Sequence, residues 1–421
     1  MEMHEFTFFA PETKTWFANT LGKPTAVQTE AWPAIAADRH TLVSAPTGTG
    51  KTLSAFLVYI DRLVALSRAG NLPNELQVIY ISPLKSLASD IRENLRKPLN
   101  GIYAQLQELQ PEDDTPPFSL NVAIRTGDTP QAERTRMAKK PPHILITTPE
   151  SLYLLLTSMS GQKILRTAKA IIIDELHALI GTKRGAHLML SLARLDVLCG
   201  APLVRIGLSA TIQPLERAAA YLSPDEVVIA APKMEKRAEI QVVTPMTSSE
   251  ARVQGTIWQD LASAVYDRCQ EKGVRSVLAF TGGRQFAEKL AHYVNQIAGE
   301  GFAHAHHGSV SKPRRMETEK ALREGEIRLL CATSSMELGI DVGEVDEVLQ
   351  IGCPHSISSA LQRLGRAGHS PGRVSVMRMY PRTNYEALFC GLTTKAVRLA
   401  AIEEAKPPRL CLDILAQHLV S

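Results

Sequence analysis

The 421-residue chain holds six cysteines, Cys199, Cys269, Cys331, Cys353, Cys390 and Cys411, and no two of them share a CxxC spacing. A zinc site or an iron–sulfur cluster needs clustered thiolates, so neither is expected. Scattered cysteines fit a reducing compartment, where most act as small apolar core residues. Long apolar runs are missing too, and none reaches the ~18 residues of a membrane span. The N-terminus sets Glu2 and Glu5 around Met3 and ahead of Phe6, Phe8 and Phe9, where a signal peptide would have basic and then apolar residues. The expectation is a cytoplasmic protein with no membrane partner. Nor is charge of one sign in excess, with 47 Lys and Arg against 43 Asp and Glu and a net charge of +4. Any grip on nucleic acid must then come from local placement of charge, because no basic field covers the whole surface.

What is present is an ordinary globular composition, 44% hydrophobic and 21% charged. A single core stops growing at roughly 250–300 residues, so two domains are expected. Short β-rich runs at 40–45, 78–82, 122–125, 144–147, 170–174 and 205–209 alternate with helical patterns such as 52–66 and 185–198. The second half repeats the alternation with 276–280, 303–306, 329–332, 347–351 and 373–379. Continuous Val/Ile/Leu strands separated by helices predict parallel sheets covered on both faces. The fold class is therefore α/β, with two doubly wound parallel-sheet domains. The stretch 231–246, with its proline and charges, reads as the hinge, and QPEDDTPPF at 110–118 as an exposed loop. Near the end, Leu412, Ile414, Leu415 and Leu419 have helical spacing, and the natural polypeptide is expected to continue past them.

The strongest local signal is APTGTGKT at 45–52, set directly after one strand and directly before a helix. Gly48 and Gly50, with Thr47 and Thr49 beside them, let backbone N–H groups close around phosphates at a helix N-terminus. Lys51 suits the β- and γ-phosphates of ATP, and the Thr52 hydroxyl suits Mg²⁺. The general pattern opens on Gly, where this chain has Ala45. Next, the buried run Ile171-Ile172-Ile173 delivers Asp174 and Glu175 to a strand's C-terminal end, where open α/β sheets bind ligands. Asp174 is the candidate for the Mg²⁺ shell and Glu175 for orienting the attacking water. Phosphoryl transfer also needs positive charge as charge builds on the γ-phosphate. QRLGRAGH at 362–369 offers Arg363 and Arg366 from the far half of the chain, and a finger arginine contributes ~10³–10⁵ in rate. By contrast, His306 and His307 are adjacent on a strand and point to opposite faces, which favours core or loop roles over metal binding.

APTGTGKT, DELH at 174–177, Ser209-Ala210-Thr211 and QRLGRAGH stand in the order of superfamily 2 helicases. In closer detail the chain resembles the Lhr (long-helicase-related) family. The matching stretches are SPLKSLASD at 82–90, RTGDT at 125–129, PPHILITTPESLYLLL at 141–156, KRGAH at 183–187 and ATSSMELGIDVG at 332–343. The resemblance implies two tandem RecA-like lobes, 1–231 and 232–400, with ATP in the cleft between them, and the start of a winged-helix domain at 401–421. It implies that Gln28 reads the adenine and that Gly339 and Asp341 touch the nucleotide from lobe two. Ser209 and Thr211 would couple hydrolysis to strand binding, with His177 as an interdomain contact. Strand contacts would come from Ser82, Lys85, Arg125, Thr126 and Thr148 on lobe one, and from Thr281, Arg284, Ser309 and Thr333 on lobe two. These are mostly small polar groups suited to phosphate oxygens.

Three positions depart from the family pattern: His369 stands where many relatives have a third arginine, Phe280-Thr281-Gly282-Gly283-Arg284 replaces an Asn-Thr-Arg type sequence, and further C-terminal domains are missing. The first departure leaves Arg366 as the better finger and Arg363 as its partner or an interdomain contact. The implied activity is ATP-driven movement 3′→5′ along single-stranded DNA, unwinding DNA or RNA–DNA duplexes in DNA repair. An RNA-remodelling ATPase and a nucleotide-gated clamp stay open as alternatives, which comparison of DNA and RNA stimulation and of turnover would separate.

Overall fold

The computed structural model describes residues 2–46, 48–109, 120–210, 212–233, 238–243, 257–337, 345–368 and 374–421. The chain divides into two compact units: Met1–Ala45, Thr49–Lys233 and Glu404–Ser421 in the first, Pro46–Gly48 and Met234–Glu403 in the second. The loop expected at 110–118 lies outside the described residues.

The first unit is built on a seven-stranded sheet of order β3-β4-β2-β5-β6-β1-β7. Its strands are β1 (Thr41–Ser44), β2 (Val78–Ile81), β3 (Val122–Arg125), β4 (Ile144–Thr147), β5 (Ala170–Ile173), β6 (Val204–Ser209) and β7 (Val228–Ala230). The pairs are all parallel. β1, β2, β4 and β5 are buried along their whole length, as strands covered on both faces must be. One face of the core gathers Phe6, Phe9 and Phe17 edge-on around Trp32, with ring centroids 5.0–5.4 Å apart.

The second unit carries six parallel strands in the order β10-β11-β9-β12-β13-β8. They are β8 (Ala238–Val242), β9 (Val277–Phe280), β10 (Ala303–His306), β11 (Leu329–Ala332), β12 (Glu347–Ile351) and β13 (Ser375–Tyr380). Part of the stretch read as a hinge is therefore sheet: β8 pairs with β13 as an edge strand, exposed on one face, and the alternation of Glu239, Ile240 and Gln241 fits that place. Near the C-terminus, Glu404–Ser421 packs on the first unit. Ala405 N–H donates to Gln213 O at 2.7 Å, and the helix Leu412–Leu419 is tied by Lys183 to Asp413 at 2.7 Å.

Candidate ATP site and strand-facing cavity

Strand order places the candidate residues. β5, β6 and β1 are neighbours, so Asp174 and Glu175, Ser209 and Ala210, and the loop into the helix Lys51–Arg68 leave the same region of the first sheet. Ala45 N–H donates to Ser209 O at 3.2 Å, fastening the start of that loop to the end of β6. The loop turns through Gly48 at φ 80° and Gly50 at φ 84°, left-handed values that favour glycine. Gly50 is constrained twice, because a Cβ there would lie 2.7 Å from Gln28 Nε2. Gln28 is held by a capping box: Thr25 N–H donates to its Oε1 at 2.9 Å, and its own N–H donates to Thr25 Oγ1 at 3.4 Å. Thr25 Oγ1 in turn donates to Thr49 O at 3.0 Å, joining Gln28 to the phosphate loop. Lys51 Nζ donates to Ala45 O at 2.6 Å, and Thr52 follows on the first turn of the helix. Thr47 lies outside the described residues.

Asp174 accepts from Glu175 N–H at 2.8 Å on Oδ1 and from the Tyr80 hydroxyl on Oδ2. Tyr80 comes from β2, the strand beside β5, and its ring stacks on Phe56 of the helix Lys51–Arg68 at 5.0 Å. Nothing local in the sequence marks Tyr80; only the pairing of β2 with β5 reveals it. Burial, with the Glu175 charge beside it, pushes the Asp174 carboxyl up to about 6. Glu175 adopts φ 49°, an uncommon left-handed conformation for a non-glycine residue, and its Oε2 lies 3.5 Å from His177 Nδ1. That contact is not an ion pair at neutral pH, because burial pushes His177 down to about 4. The neutral ring takes Ala210 N–H on Nδ1 at 3.2 Å, with Ser209 Oγ 3.3 Å away, which places its proton on Nε2. His177, Ser209 and Ala210 thus meet at Nδ1, with the Glu175 carboxylate beside them. Thr211 lies outside the described residues. The oxygens of Thr52 and Asp174 are the hard donors Mg²⁺ takes, and the Asp174 carboxylate is buried where a cation would offset its charge.

The other half of the first sheet, β3-β4-β2, carries the candidate strand contacts at its ends. Ser82 Oγ donates to Leu84 O at 2.9 Å, shaping the turn before Pro83, and Thr148 caps the helix Pro149–Leu156 by accepting Ser151 N–H. Arg125 donates to Thr126 O at 2.8 Å, and Thr126 is buried. The Lys85 side chain lies outside what is described. Arg184 of KRGAH, not singled out from sequence, binds both Glu150 oxygens and donates to Pro83 O at 2.7 Å, bracing these turns.

In the second unit, Thr281, Arg284, Ser309 and Thr333 line one cavity of about 270 Å³, joined by His307, His355 and Arg363. Arg284 Nη1 donates to Ser309 Oγ at 3.0 Å. His307 is paired with Glu288 at 2.8 Å, and the fully buried His306 with Glu319 at 2.8 Å, so the two histidines do face apart. Arg363 is 2% exposed, bonded to Glu337 and to Gln350 Oε1, with its guanidinium 5.0 Å over the Phe280 ring. Arg366 Nη2 donates to the main-chain oxygen of Glu337 at 2.6 Å. Gly339, Asp341 and His369 lie outside the described residues. Among the described residues no group of three or more His, Cys, Asp or Glu could hold a metal ion, and no helix is long and apolar enough to cross a membrane.

The chain matches the DEAD/DEAH box helicase family over residues 25–218 and the helicase conserved C-terminal domain over 259–370. It is 40% identical to the Lhr helicase/uracil glycosylase of Escherichia coli, covering 98% of this chain and 30% of that protein. It is 39% identical to ATP-dependent helicase Lhr-Core protein 2 of Thermococcus barophilus, covering 99% and 48%. The solved structure of Mycobacterium smegmatis helicase Lhr bound to ssDNA and AMP-PNP superimposes with TM-score 0.88 at 42% identity, over 98% of this chain and 53% of that one. The chain thus spans about a third to a half of the curated relatives it matches.

Proposed function

Since the chain carries the two helicase modules of the Lhr family, we propose that it is the motor core of an ATP-dependent helicase that moves 3′→5′ along single-stranded DNA. Residues 1–231 form the ATP-binding lobe, 232–400 the second lobe, and 401–421 the opening of a winged-helix domain. One observation carries this proposal: Lys51, Asp174, Glu175, His177 and Ser209 converge at the ends of the neighbouring strands β1, β5 and β6. ATP is held through the phosphate loop, with Lys51 exchanging its Ala45 partner for phosphate oxygens. Gln28, packed on Gly50, reads the adenine, and Gly339 and Asp341 reach the nucleotide from the second lobe. Thr52 and Asp174 would hold Mg²⁺, which would supply positive charge to the phosphates. Glu175 orients the attacking water and takes its proton.

Strand sensing reaches hydrolysis through His177. Its Nδ1 is shared by Ser209 and Ala210 and faces Glu175, so movement at Ser209 and Ala210 is felt at the base. Arg366 supplies transition-state charge, while Arg363 positions it through Glu337, which both arginines touch. The DNA backbone is gripped by the residues at the ends of β2, β3 and β4 and by the second-unit cavity. The bound ssDNA of the Mycobacterium smegmatis Lhr structure supports DNA as the strand. DNA repair and a cytoplasmic location belong to the same proposal. The test is streptavidin displacement from single-stranded DNA biotinylated at either end. Displacement from the 5′ end alone is expected, and displacement from the 3′ end alone would reverse the polarity assignment. Stronger ATPase stimulation by RNA than by DNA would favour the RNA-remodelling alternative.

A further inference from the structure

Two cysteines meet in the second unit, outside the residues assigned above. Cys353 lies on the loop that leaves β12, half-buried, and its Sγ is 3.6 Å from Thr393 Oγ1 on the helix Asn384–Arg398. Cys390, one turn earlier on that helix and fully buried, has its Sγ 3.6 Å from the carbonyl oxygen of Gly352, the residue before Cys353. Each sulfur therefore touches the other's element.

We propose that Cys353 and Cys390 are a redox modification site, an accessible attacking thiol beside a buried resolving thiol, that closes to a disulfide under hydrogen peroxide. The electrostatics separate Cys353 from Cys199, Cys269 and Cys331. Burial pushes Cys199 up to about 11 and Cys269 up to about 12, and drives the fully buried Cys331 up as well. Cys353 moves the other way, down to about 7, chiefly because Cys390 donates to it, with Thr393 and Arg363 helping. A thiolate held near neutrality, reachable and next to a second thiol, is the arrangement peroxide oxidises first.

The reaction is balanced. The Cys353 thiolate attacks a peroxide oxygen and breaks the O–O bond, giving a sulfenic acid and a hydroxide that is protonated to water. The Cys390 sulfur gives up its proton and attacks the sulfenic sulfur, expelling a second hydroxide that leaves as water. Two thiols and one peroxide become one disulfide and two waters.

The bond brings the sulfurs to about 2.05 Å and draws the loop at 352–356 onto the helix Asn384–Arg398. That loop carries His355, which lines the cavity with Arg284 and Ser309, and Ser356, which caps the helix Ile357–Leu364 bearing Arg363. Oxidation thus loosens the strand-facing cavity; this consequence, unlike the bond itself, rests on the proposed strand-binding role.

The reduced protein is exposed to peroxide near neutral pH, alkylated, digested and mapped by mass, with no ATP or DNA present. A linked Cys353–Cys390 peptide pair reversed by dithiothreitol is expected, with the other four cysteines alkylated. Cys390→Ser, which keeps a donor to Cys353 but cannot resolve it, should stop at a dimedone-trapped sulfenic acid on Cys353, and Cys353→Ala should leave Cys390 reduced. Prior oxidation of another cysteine, or no linked pair, overturns the site. In the linked protein, ssDNA-stimulated ATPase should fall roughly fivefold or more and return on reduction. An unchanged rate with the pair linked overturns the effect on the cavity, whereas absent stimulation in the reduced protein is a failure of the motor assignment instead.

Discussion

Tyr80→Phe is the perturbation that most sharply tests how the metal-facing carboxylate is held. The hydroxyl donates to Asp174 Oδ2 while Glu175 N–H occupies Oδ1, so both oxygens of a buried carboxylate are oriented by the protein. Phe keeps the ring against Phe56, 5.0 Å away and only 25° out of parallel, so packing is preserved and only the hydrogen bond is lost. A hydrogen bond to a charged group contributes about 1.5–3 kcal/mol. Loss of an outer partner to a metal ligand typically costs ~10–100-fold in metal affinity or activity, which matches that energy. The assay is a Mg²⁺ titration of steady-state ATPase beside ATP binding measured in EDTA. Half-saturating Mg²⁺ should rise about tenfold or more, while metal-free nucleotide affinity stays near that of the parent and stability falls by no more than that hydrogen bond's contribution. Unchanged Mg²⁺ dependence and unchanged turnover would refute the positioning argument.

Other substitutions separate the remaining roles. Glu175→Gln should keep ATP binding and lose turnover; full activity would remove Glu175 as the water-orienting base. Arg366→Ala should abolish strand-stimulated hydrolysis with the unfolding midpoint little changed. Arg363→Ala removes the cation paired with Glu337, leaving its carboxylate the Ser359 hydroxyl, and takes the donor from Gln350 Oε1, and should cost about 3–5 kcal/mol of stability in denaturant unfolding; an undestabilised variant contradicts the buried network. The C-terminal helix should respond to pH. Burial lowers both His187 and His418, whose rings sit 4.5 Å apart among Tyr153, Arg194, Glu150 and the Lys183–Asp413 pair. Folded values below the unfolded one of about 6.5 mean that docking is fully stable above it and weakens as pH falls below it. Hydrogen exchange of 412–419, corrected for its intrinsic pH dependence, should be faster at about pH 5.5 than at about pH 7.5; equal protection would contradict the titration.

Much of the fold is written in the sequence because fully buried parallel strands are continuous apolar runs. VIYI, ILIT and AIII need no neighbours to be recognised. The edge strand β8 is covered on one face only, so its sequence alternates and carries no such run, and β7 is only three residues long. The site divides in the same way. The phosphate loop and Asp174–Glu175 are legible because their geometry is local, set by a strand end and one turn of chain. Tyr80 reaches Asp174 across 94 residues, and only strand order brings them together. Arg363 reads as a catalytic cation in one dimension, and only the positions of Glu337 and Gln350 reveal how tightly it is held. Ser82 and Thr148 show the reverse: read from sequence as strand contacts, they have hydroxyls that take part in a turn and a helix cap beside Pro83 and Pro149.

The central claim, a strand-gated ATPase, is tested most directly by steady-state hydrolysis by this 421-residue chain with and without single-stranded DNA at two salt concentrations. Strong stimulation that fades with salt is predicted, because binding through phosphates releases counterions. ATP binding without any stimulation at either salt would contradict the claim and leave a nucleotide-binding fragment.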